Sequence, residues 1–269
     1  MHQGPAAKRG FFMSYLDAII LGLLQGLTEF LPISSSGHLV LAQELLGVNS
    51  EGVTFEILVH LGSLLAIFIY FRSKLWSLTL SLFSKDKVSH KKEILFLAMA
   101  TVPAAMAGVF FESFIDSVFS SALFTSSMLI VTGFILLSTR LTNTGSQEVD
   151  GKRAILIGLA QSLAILPGIS RSGSTIAIGM LLKIEPSKAA EFSFLLAIPA
   201  IIGATIFKFD DILASDSDMM LAYLAGAMVA FVSSLAAIRL LLSIIRKGRF
   251  QYFAYYCFAA GASGWYLFS

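Results

Sequence analysis

Long apolar runs separated by short polar segments dominate the chain. A helix needs about 20 apolar residues to cross the hydrocarbon core of a bilayer. Because several runs reach this length, the pattern predicts an all-α integral membrane protein. Six runs are predicted as full transmembrane spans: residues 53–72, 93–111, 122–139, 188–207, 219–242 and 251–268.

The remaining apolar residues form two pairs of shorter segments. The first pair covers about 14–31 and 38–48, and the second about 154–166 and 174–183. A polar stretch rich in Pro, Gly and Ser interrupts each pair. Apolar segments of about 10 to 14 residues are typical of re-entrant helices, and irregular backbone at membrane depth is tolerated only where protein or water surrounds it. Each break is therefore a candidate site loop.

The two interrupted segments are related in sequence. LGLLQGLTEFLPISSSGHL (21–39) aligns without gaps with IGLAQSLAILPGISRSGST (157–175), and eight positions are identical. Three predicted spans follow each unit, so the chain is predicted to be an internal repeat of a re-entrant pair plus three spans. The first repeat covers about 13–139 and the second about 150–269, in one membrane domain (13–269). We interpret residues 1–12 as a leader or tag-like segment.

The odd number of spans in each repeat predicts how the repeats are oriented. If each re-entrant pair returns to the side it came from, the second repeat must enter from the opposite face. Inverted repeats of this kind are known from transporters, with binding sites near the bilayer midplane. Lys and Arg concentrate in 72–92, 140–153 and 239–249. The positive-inside rule makes these segments cytoplasmic, so both termini and the opening of the first re-entrant pair are predicted outside.

The composition supports this class and excludes others. Only 13% of the residues are charged and the mean hydropathy is +0.81, whereas soluble domains carry about 25% charged residues. Cys257 is the one cysteine, which excludes a disulfide framework and a cysteine metal site. The basic stretch KDKVSHKK (85–92) is interpreted as a solvated cytoplasmic loop, and no nucleic-acid partner is predicted.

The two polar loops carry complementary charges. The first loop contains Glu29 and His38, and only the second contains a cation, Arg171, at the position of Ser35. Ionisable residues inside a membrane are costly and are functional by default. The simpler alternative is a structural Glu29–Arg171 pair that holds the repeats together. That alternative leaves His38 and the hydroxyl groups unexplained.

Both loops have the form of an anion-binding turn. A Gly-containing Ser turn before a helix offers backbone N–H groups and the positive end of the helix dipole to an anion, and Arg matches phosphate oxygens in a bidentate manner. Two facing turns suit two adjacent phosphoryl groups. The alternative is that the hydroxyls only satisfy backbone groups at a broken helix. The candidate phosphate-binding residues are Ser34, Ser36, Ser170, Ser172 and Gly173.

The first loop also offers groups for catalysis. Gln25 and Glu29 lie four residues apart, on one helix face, where the carboxylate can hold a divalent cation together with phosphate oxygens. A serine beside His38 offers a nucleophile with its base, or a base with its water. A lone histidine near a membrane interface is more often structural. Together these residues predict phosphoryl chemistry on an amphiphile.

The motifs QGLTEFLPISSSGHL and PGISRSGST resemble the two signature motifs of the bacterial undecaprenyl pyrophosphate phosphatase family, the bacitracin-resistance type. The resemblance covers nearly the whole chain from Met13. It implies hydrolysis of undecaprenyl pyrophosphate to the monophosphate, which recycles the lipid carrier for peptidoglycan synthesis and gives bacitracin resistance. It also implies a multi-pass enzyme of the bacterial inner membrane, often a homodimer, with a divalent cation, Mg²⁺ or Ca²⁺.

The resemblance also implies roles for individual residues. Ser35 is a leading nucleophile candidate, and His38 is the rival nucleophile or base. Arg171 is the pyrophosphate clamp, with Ser170 and Thr175 as supporting donors.

The family's acidic motif has Glu or Gln, three residues, then Glu. Gln25 fills the first position here, so a metal site with two carboxylates from this motif is not expected, and Glu29 is the predicted metal ligand.

Two other classes of function compete with a phosphatase. A transporter or flippase of a polyprenyl phosphate lipid fits the inverted repeat but does not need a Ser/His pair. A non-enzymatic anion channel or scaffold fits poorly, because a single Arg does not form a ring of charge.

Glu56 and Glu191 open corresponding spans and either support the site or favour helix N-termini. His60 is interpreted as structural.

Overall fold

The computed structural model describes residues 13–48, 54–84, 88–142, 145–210 and 217–269. The leader predicted at 1–12 and part of the basic stretch 85–92 lie outside the described residues. Four helices in the described ranges are long and apolar enough to cross a membrane, and a strongly bent pair makes a fifth if it is counted as one span. These observations confirm an all-α membrane protein. The four are Val88–Phe110, Ala122–Leu141, Pro186–Phe207 and Met219–Arg246.

The first repeat begins with a helix pair broken at the SSSGH motif. Ser14 starts the first helix with a capping box that includes Asp17, which satisfies two backbone N–H groups. The helices of this repeat are α1 (Tyr15–Phe30), α2 (Ser35–Leu46), α3 (Thr54–Tyr70), α4 (Arg72–Phe83), α5 (Val88–Phe110), α6 (Glu112–Phe119) and α7 (Ala122–Ser138).

The second repeat follows the same order. Asp150 caps its first helix by accepting a hydrogen bond from the backbone N–H of Arg153. The helices are α8 (Gly151–Leu163), α9 (Arg171–Leu181), α10 (Pro186–Phe207), α11 (Ser217–Arg246) and α12 (Phe253–Phe268), with 3₁₀ turns at Thr139–Leu141 and Phe250–Tyr252.

The structure differs from the sequence prediction at three of the spans. The span predicted at 53–72 is α3, which ends at Tyr70, and the chain then turns by 79° into α4. The sequence pattern had placed the residues of α4 in a basic cytoplasmic loop. The next span begins at Val88, and the short helix α6 follows it. The span predicted at 251–268 is α12, which has 16 residues and is shorter than the roughly 20 needed for a full crossing.

A network of ion pairs holds α4 in place. The Lys74 Nζ atom lies 2.9 Å from a carboxylate oxygen of Glu93 in α5 and 3.0 Å from one of Glu191 in α10. These contacts hold α4 against two spans. The sequence left open whether Glu191 supports the site or a helix N-terminus, and the structure places it in this ion-pair network.

The repeats pack reciprocally. Helix α1 of the first repeat packs mainly on α11 of the second, and the equivalent α8 packs on α5, the counterpart of α11. Helices α7 and α12, which occupy the same place in the two repeats, pack on each other. An exchange of equivalent contacts is expected for two units related by a pseudo-two-fold axis. It joins the repeats over most of their length.

Glycines allow the closest of these contacts. A Cβ atom at Gly22 of α1 would lie 2.2 Å from the backbone oxygen of Gly226 in α11, and one at the equivalent Gly158 of α8 would lie 2.4 Å from the backbone oxygen of Ala100 in α5. Small residues at helix crossings are typical of membrane proteins, because they let backbones approach. The two equivalent glycines therefore set the spacing between the repeats.

Replacement of Gly22 should destabilise the protein through this contact. We expect Gly22→Ala to lose about 1–3 kcal/mol, the usual cost of overpacking, measured as a lower melting temperature in detergent. Gly203→Ala is the matched control, because no atom lies within 4 Å of a Cβ there. Alanine is a better helix former than glycine, so the control should melt at the same or a higher temperature. Equal melting of the two variants would contradict the packing role.

Candidate active site

The two interrupted loops have the same hydrogen-bonding pattern. The Ser34 Oγ atom caps α2 by accepting from the Gly37 N–H at 3.2 Å, and the Ser170 Oγ atom caps α9 by accepting from the Gly173 N–H at 3.0 Å. In both loops the capping hydroxyl lies 3.3 Å from the serine hydroxyl two residues later, that of Ser36 or Ser172. Ser34 and Ser170 thus satisfy backbone groups, as the alternative interpretation of the serines predicted.

The loops differ in backbone conformation at the capping residue. Ser34 has φ = 69°, whereas Ser170 has φ = −73°. A non-glycine residue with this positive φ is strained by about 1–3 kcal/mol, and such residues cluster at functional sites. The strain lies directly before Ser35, which opens α2.

The loops of the two repeats meet, as predicted. The Arg171 Nη2 atom lies 2.5 Å from the Glu29 Oε1 atom. The Ser172 hydroxyl donates to the backbone oxygen of Leu31 at 3.2 Å. A Cβ atom at Gly37 would lie 2.9 Å from the Gly168 Cα atom. The site is therefore assembled from both repeats.

Glu29 is the centre of the contacts between the loops. It is only 7% exposed, and Arg171 binds one of its carboxylate oxygens. The other oxygen, Oε2, accepts from the Ser35 hydroxyl at 2.5 Å and from the Gln25 amide at 3.0 Å. The His60 Nε2 atom lies 3.5 Å from the same oxygen. Buried carboxylates need such partners, because an isolated charge is too costly to bury.

Residues of the second loop hold Arg171 in position. The Arg171 Nη1 atom donates to the backbone oxygen of Ser193 in α10 at 3.4 Å. The Thr175 hydroxyl lies 2.6 Å from the Ser193 hydroxyl and donates to the backbone oxygen of Arg171 at 2.9 Å. Thr175 and Ser172 are each 1% exposed. Ser172, Gly173 and Thr175 support the loop from the protein interior and do not line the cavity.

A cavity of about 660 Å³ opens in front of these groups. Polar residues of both loops form its floor, and the last turn of α10 forms part of its wall. The Lys208 Nζ atom lies 2.8 Å from a Glu112 carboxylate oxygen and 3.9 Å from one of Asp116. The polar residues that line the cavity are Glu29, Ser34, Ser35, Ser36, Gln43, Glu56, His60, Asp116, Ser170, Arg171, Thr205 and Lys208.

An apolar groove of about 470 Å³ joins this cavity. The groove runs between α5, α6, α8 and α10, and it shares Arg171, Ile165 and Ala204 with the polar cavity. Most of its remaining lining is apolar, including Val109, Pro199 and Phe207. A polar head and an apolar chain can thus bind in continuous space, with Arg171 at the junction.

His38 does not take the predicted place beside Ser35. Its Nδ1 atom lies 2.7 Å from the backbone oxygen of Ser34, and its Nε2 atom lies 2.7 Å from the hydroxyl of Tyr256 in α12. The His38 and Tyr256 rings stack at 5.6 Å. Because both ring nitrogens have other partners, the expected Ser35–His38 hydrogen bond is not formed. The Ser35 hydroxyl donates to the Glu29 carboxylate instead.

The sequence pattern predicted a structural role for His60, but the structure places His60 beside Glu29. Its Nδ1 atom lies 2.6 Å from the backbone oxygen of Glu56, which turns the other nitrogen towards Glu29. Glu56 also lines the cavity and accepts from the Gln43 amide at 2.6 Å. The sequence contains a pattern that indicates this pair of residues: Glu56 and His60 are four residues apart and share a helix face, directly after the first motif.

The donor set around Glu29 allows a test of the predicted divalent cation. No group of three or more His, Cys, Asp or Glu that could hold a metal ion occurs in the part of the chain that the structure describes. However, Mg²⁺ is usually held by one or two carboxylates together with substrate phosphates and water. Glu29 supplies a carboxylate, and the Oε1 atom of the adjacent Gln25 is buried without a hydrogen-bond partner. These residues fit a cation that shares its ligands with a phosphate.

Comparison with known proteins agrees with this geometry. Residues 18–263 match the family model described as "Bacitracin resistance protein BacA". The chain belongs to this family. Both site loops, the apolar groove and most of each repeat lie within the matched residues.

Curated relatives of the family are similar over almost their entire length. An "Undecaprenyl-diphosphatase" of Syntrophotalea carbinolica is 44% identical over 255 residues, which cover 93% of this chain and 97% of that protein. Proteins with the same name from Desulfosudis oleivorans and Methanobrevibacter smithii are each 40% identical, and each match covers 93% of this chain. These matches cover 97% and 96% of the two relatives.

Arg171→Lys tests whether the site needs the forked guanidinium. Lysine keeps the charge but offers one nitrogen, whereas Arg171 uses one nitrogen for Glu29 and another for the Ser193 backbone. We expect the variant to fold, yet kcat/KM for the family's lipid pyrophosphate should fall by roughly 10²-fold, as for loss of one preorganised donor.

Kinetics and a thermal melt in the same detergent are needed for this variant. Arg140→Lys is the matched control, since Arg140 donates to the Tyr255 hydroxyl, away from the site loops. A stable and fully active Arg171→Lys enzyme would remove Arg171 from the mechanism. An unfolded one would favour the purely structural pair.

Proposed function

We propose that the protein hydrolyses undecaprenyl pyrophosphate to undecaprenyl phosphate and inorganic phosphate. The observation that carries the proposal is the contact between the Ser35 hydroxyl and the Glu29 carboxylate, 2.5 Å apart, in a cavity that also contains Arg171. The apolar groove at Arg171 suits the polyprenyl chain. The name of the curated relatives, undecaprenyl-diphosphatase, supports the same substrate.

In the first step the Ser35 Oγ atom attacks the terminal phosphorus. Its proton passes to Glu29 along the existing hydrogen bond, and the bond between the terminal phosphorus and the bridging oxygen breaks. The electron pair leaves with the lipid monophosphate. Phosphoryl transfer is accelerated mainly by positioning and by compensation of negative charge. Arg171 and the N-termini of α2 and α9 supply that positive potential.

In the second step water hydrolyses the phosphoserine. His60 lines the cavity and lies 3.5 Å from Glu29, so it can carry the first proton to the cavity and restore the carboxylate. Glu29 then takes a proton from the attacking water, and returns it to the Ser35 oxygen as phosphate leaves. The two steps together consume one water molecule.

A divalent cation would be held by Glu29 and by the amide oxygen of Gln25. When bound, it would neutralise charge on the phosphate oxygens. Glu29 would keep its role as base through the oxygen that faces Ser35.

We further propose that the enzyme lies in the bacterial inner membrane with the cavity open to the periplasm, and that it serves carrier recycling for peptidoglycan and bacitracin resistance. The charge pattern supports this orientation, since the Glu112–Asp116–Lys208 end is acidic and the opposite end is basic. In a Cys257→Ser background, an impermeant thiol reagent should label Ser120→Cys from outside and not Lys152→Cys. The reverse pattern would overturn the orientation.

Phosphate release by the purified protein tests the proposed reaction. Ser35→Ala should lose about 10³-fold or more in kcat, as expected for a nucleophile in a coupled catalytic unit. Transport of the lipid without phosphate release would instead favour the flippase alternative.

Variants of His38 separate a positioning role from a role as base. His38→Asn can keep a donor for the Ser34 backbone oxygen, so it should retain much more activity than His38→Leu. Equal and complete loss in both variants would make His38 the base, against the geometry.

A further inference from the structure

Gln161 in α8 is an anomaly in the interior of the protein. It is 2% exposed, and neither the nitrogen nor the oxygen of its amide has a hydrogen-bond partner. Among the described residues, it is the one side chain with two buried polar atoms that lack a hydrogen-bond partner. Such groups destabilise a protein, and each one in a native structure calls for an explanation.

Comparison of the repeats explains why the partner is missing. Gln25 is the equivalent residue of the first repeat, and its amide donates to Glu29, four residues later. In the second repeat the position four residues after Gln161 is Ile165. The glutamine is therefore present in both repeats, but only the first repeat supplies a carboxylate for it.

The surroundings of Gln161 indicate what its amide can bind. Gln161 lines the apolar groove, and Arg171 and Ile165 line both this groove and the polar cavity. The other polar residues that line the groove are Thr101, Arg171, Glu112, Asp116 and Lys208, and Lys208 forms ion pairs with Glu112 and Asp116. The Thr101 hydroxyl already donates to the backbone oxygen of Leu97 at 2.8 Å. Gln161 and Arg171 are therefore the lining groups that we expect a phosphate in the groove to bind.

We propose that Gln161 binds the lipid-side phosphoryl group, the phosphate that stays on the polyprenyl product. This inference rests on the proposed function. With the terminal phosphate at Ser35 and Glu29, and the chain in the groove, the second phosphate lies between them, beside Arg171. The amide nitrogen donates to a non-bridging oxygen, and the amide oxygen accepts from water or from a protonated phosphate oxygen. Gln161 thus contributes to selection of a pyrophosphate attached to a lipid.

Gln161→Met tests the proposal, because methionine has a similar length and no amide. We expect kcat/KM for undecaprenyl pyrophosphate to fall tenfold or more. We also expect Kd for undecaprenyl phosphate, measured by calorimetry in detergent, to rise tenfold or more, while Kd for inorganic phosphate stays unchanged. Since an unpaired amide is removed from the interior, the melting temperature should stay the same or rise.

Ser162→Ala is the matched control on the same helix. Its hydroxyl is exposed and donates to the backbone oxygen of Leu159, so no constant should change. A lower melting temperature of Gln161→Met, with both dissociation constants altered alike, would show a structural role and overturn the proposal. Unchanged kcat/KM and unchanged Kd for the lipid phosphate would also overturn it.

A failure of the proposed function would not decide whether Gln161 binds the lipid-side phosphoryl group. If the wild-type protein released no phosphate, the proposed reaction would be wrong, and the Kd for undecaprenyl phosphate would still decide whether Gln161 binds the lipid-side group.

Discussion

The contact between Glu29 and Arg171 is the interaction on which the site depends. It joins the broken helix of one repeat to that of the other, and both residues are largely buried. Removal of one partner of such a pair is strongly destabilising, because it leaves an unpaired buried charge. The pair also has a second role, since the other oxygen of Glu29 accepts from Ser35 and the second nitrogen of Arg171 donates to the Ser193 backbone.

Duplication of one backbone motif provides two similar helix N-termini, and a few substitutions then make them different. The serine caps and their neighbouring hydroxyls are equivalent in the two loops. The repeats differ at the pairs Glu29/Ile165 and Ser35/Arg171, which place the acid and the hydroxyl in one loop and the cation in the other. The strained φ of Ser34 is a further difference, next to Ser35. The proposed catalytic groups therefore lie at the positions where the two repeats differ.

The sequence predicts the parts of this arrangement that follow from spacing and charge. The internal repeat, the meeting of the loops and the Glu29–Arg171 contact come from the alignment and from the cost of an intramembrane Arg. The orientation of the His38 side chain could not be predicted, because its partner Tyr256 is 218 residues away in the sequence. Helix α4 could not be predicted, because Lys74 is held by carboxylates of two other helices. The pattern of apolar residues does not show such contacts between distant segments.

The stereochemical course at the terminal phosphorus tests the central claim, that Glu29 activates Ser35 as the nucleophile. The measurement uses a lipid pyrophosphate analogue whose terminal thiophosphoryl group is chiral through two oxygen isotopes. It is hydrolysed in water that carries a third oxygen isotope, and the configuration of the released thiophosphate is determined. Two in-line displacements, through a phosphoserine, predict retention of configuration. Inversion would show one direct displacement by water and would contradict the account.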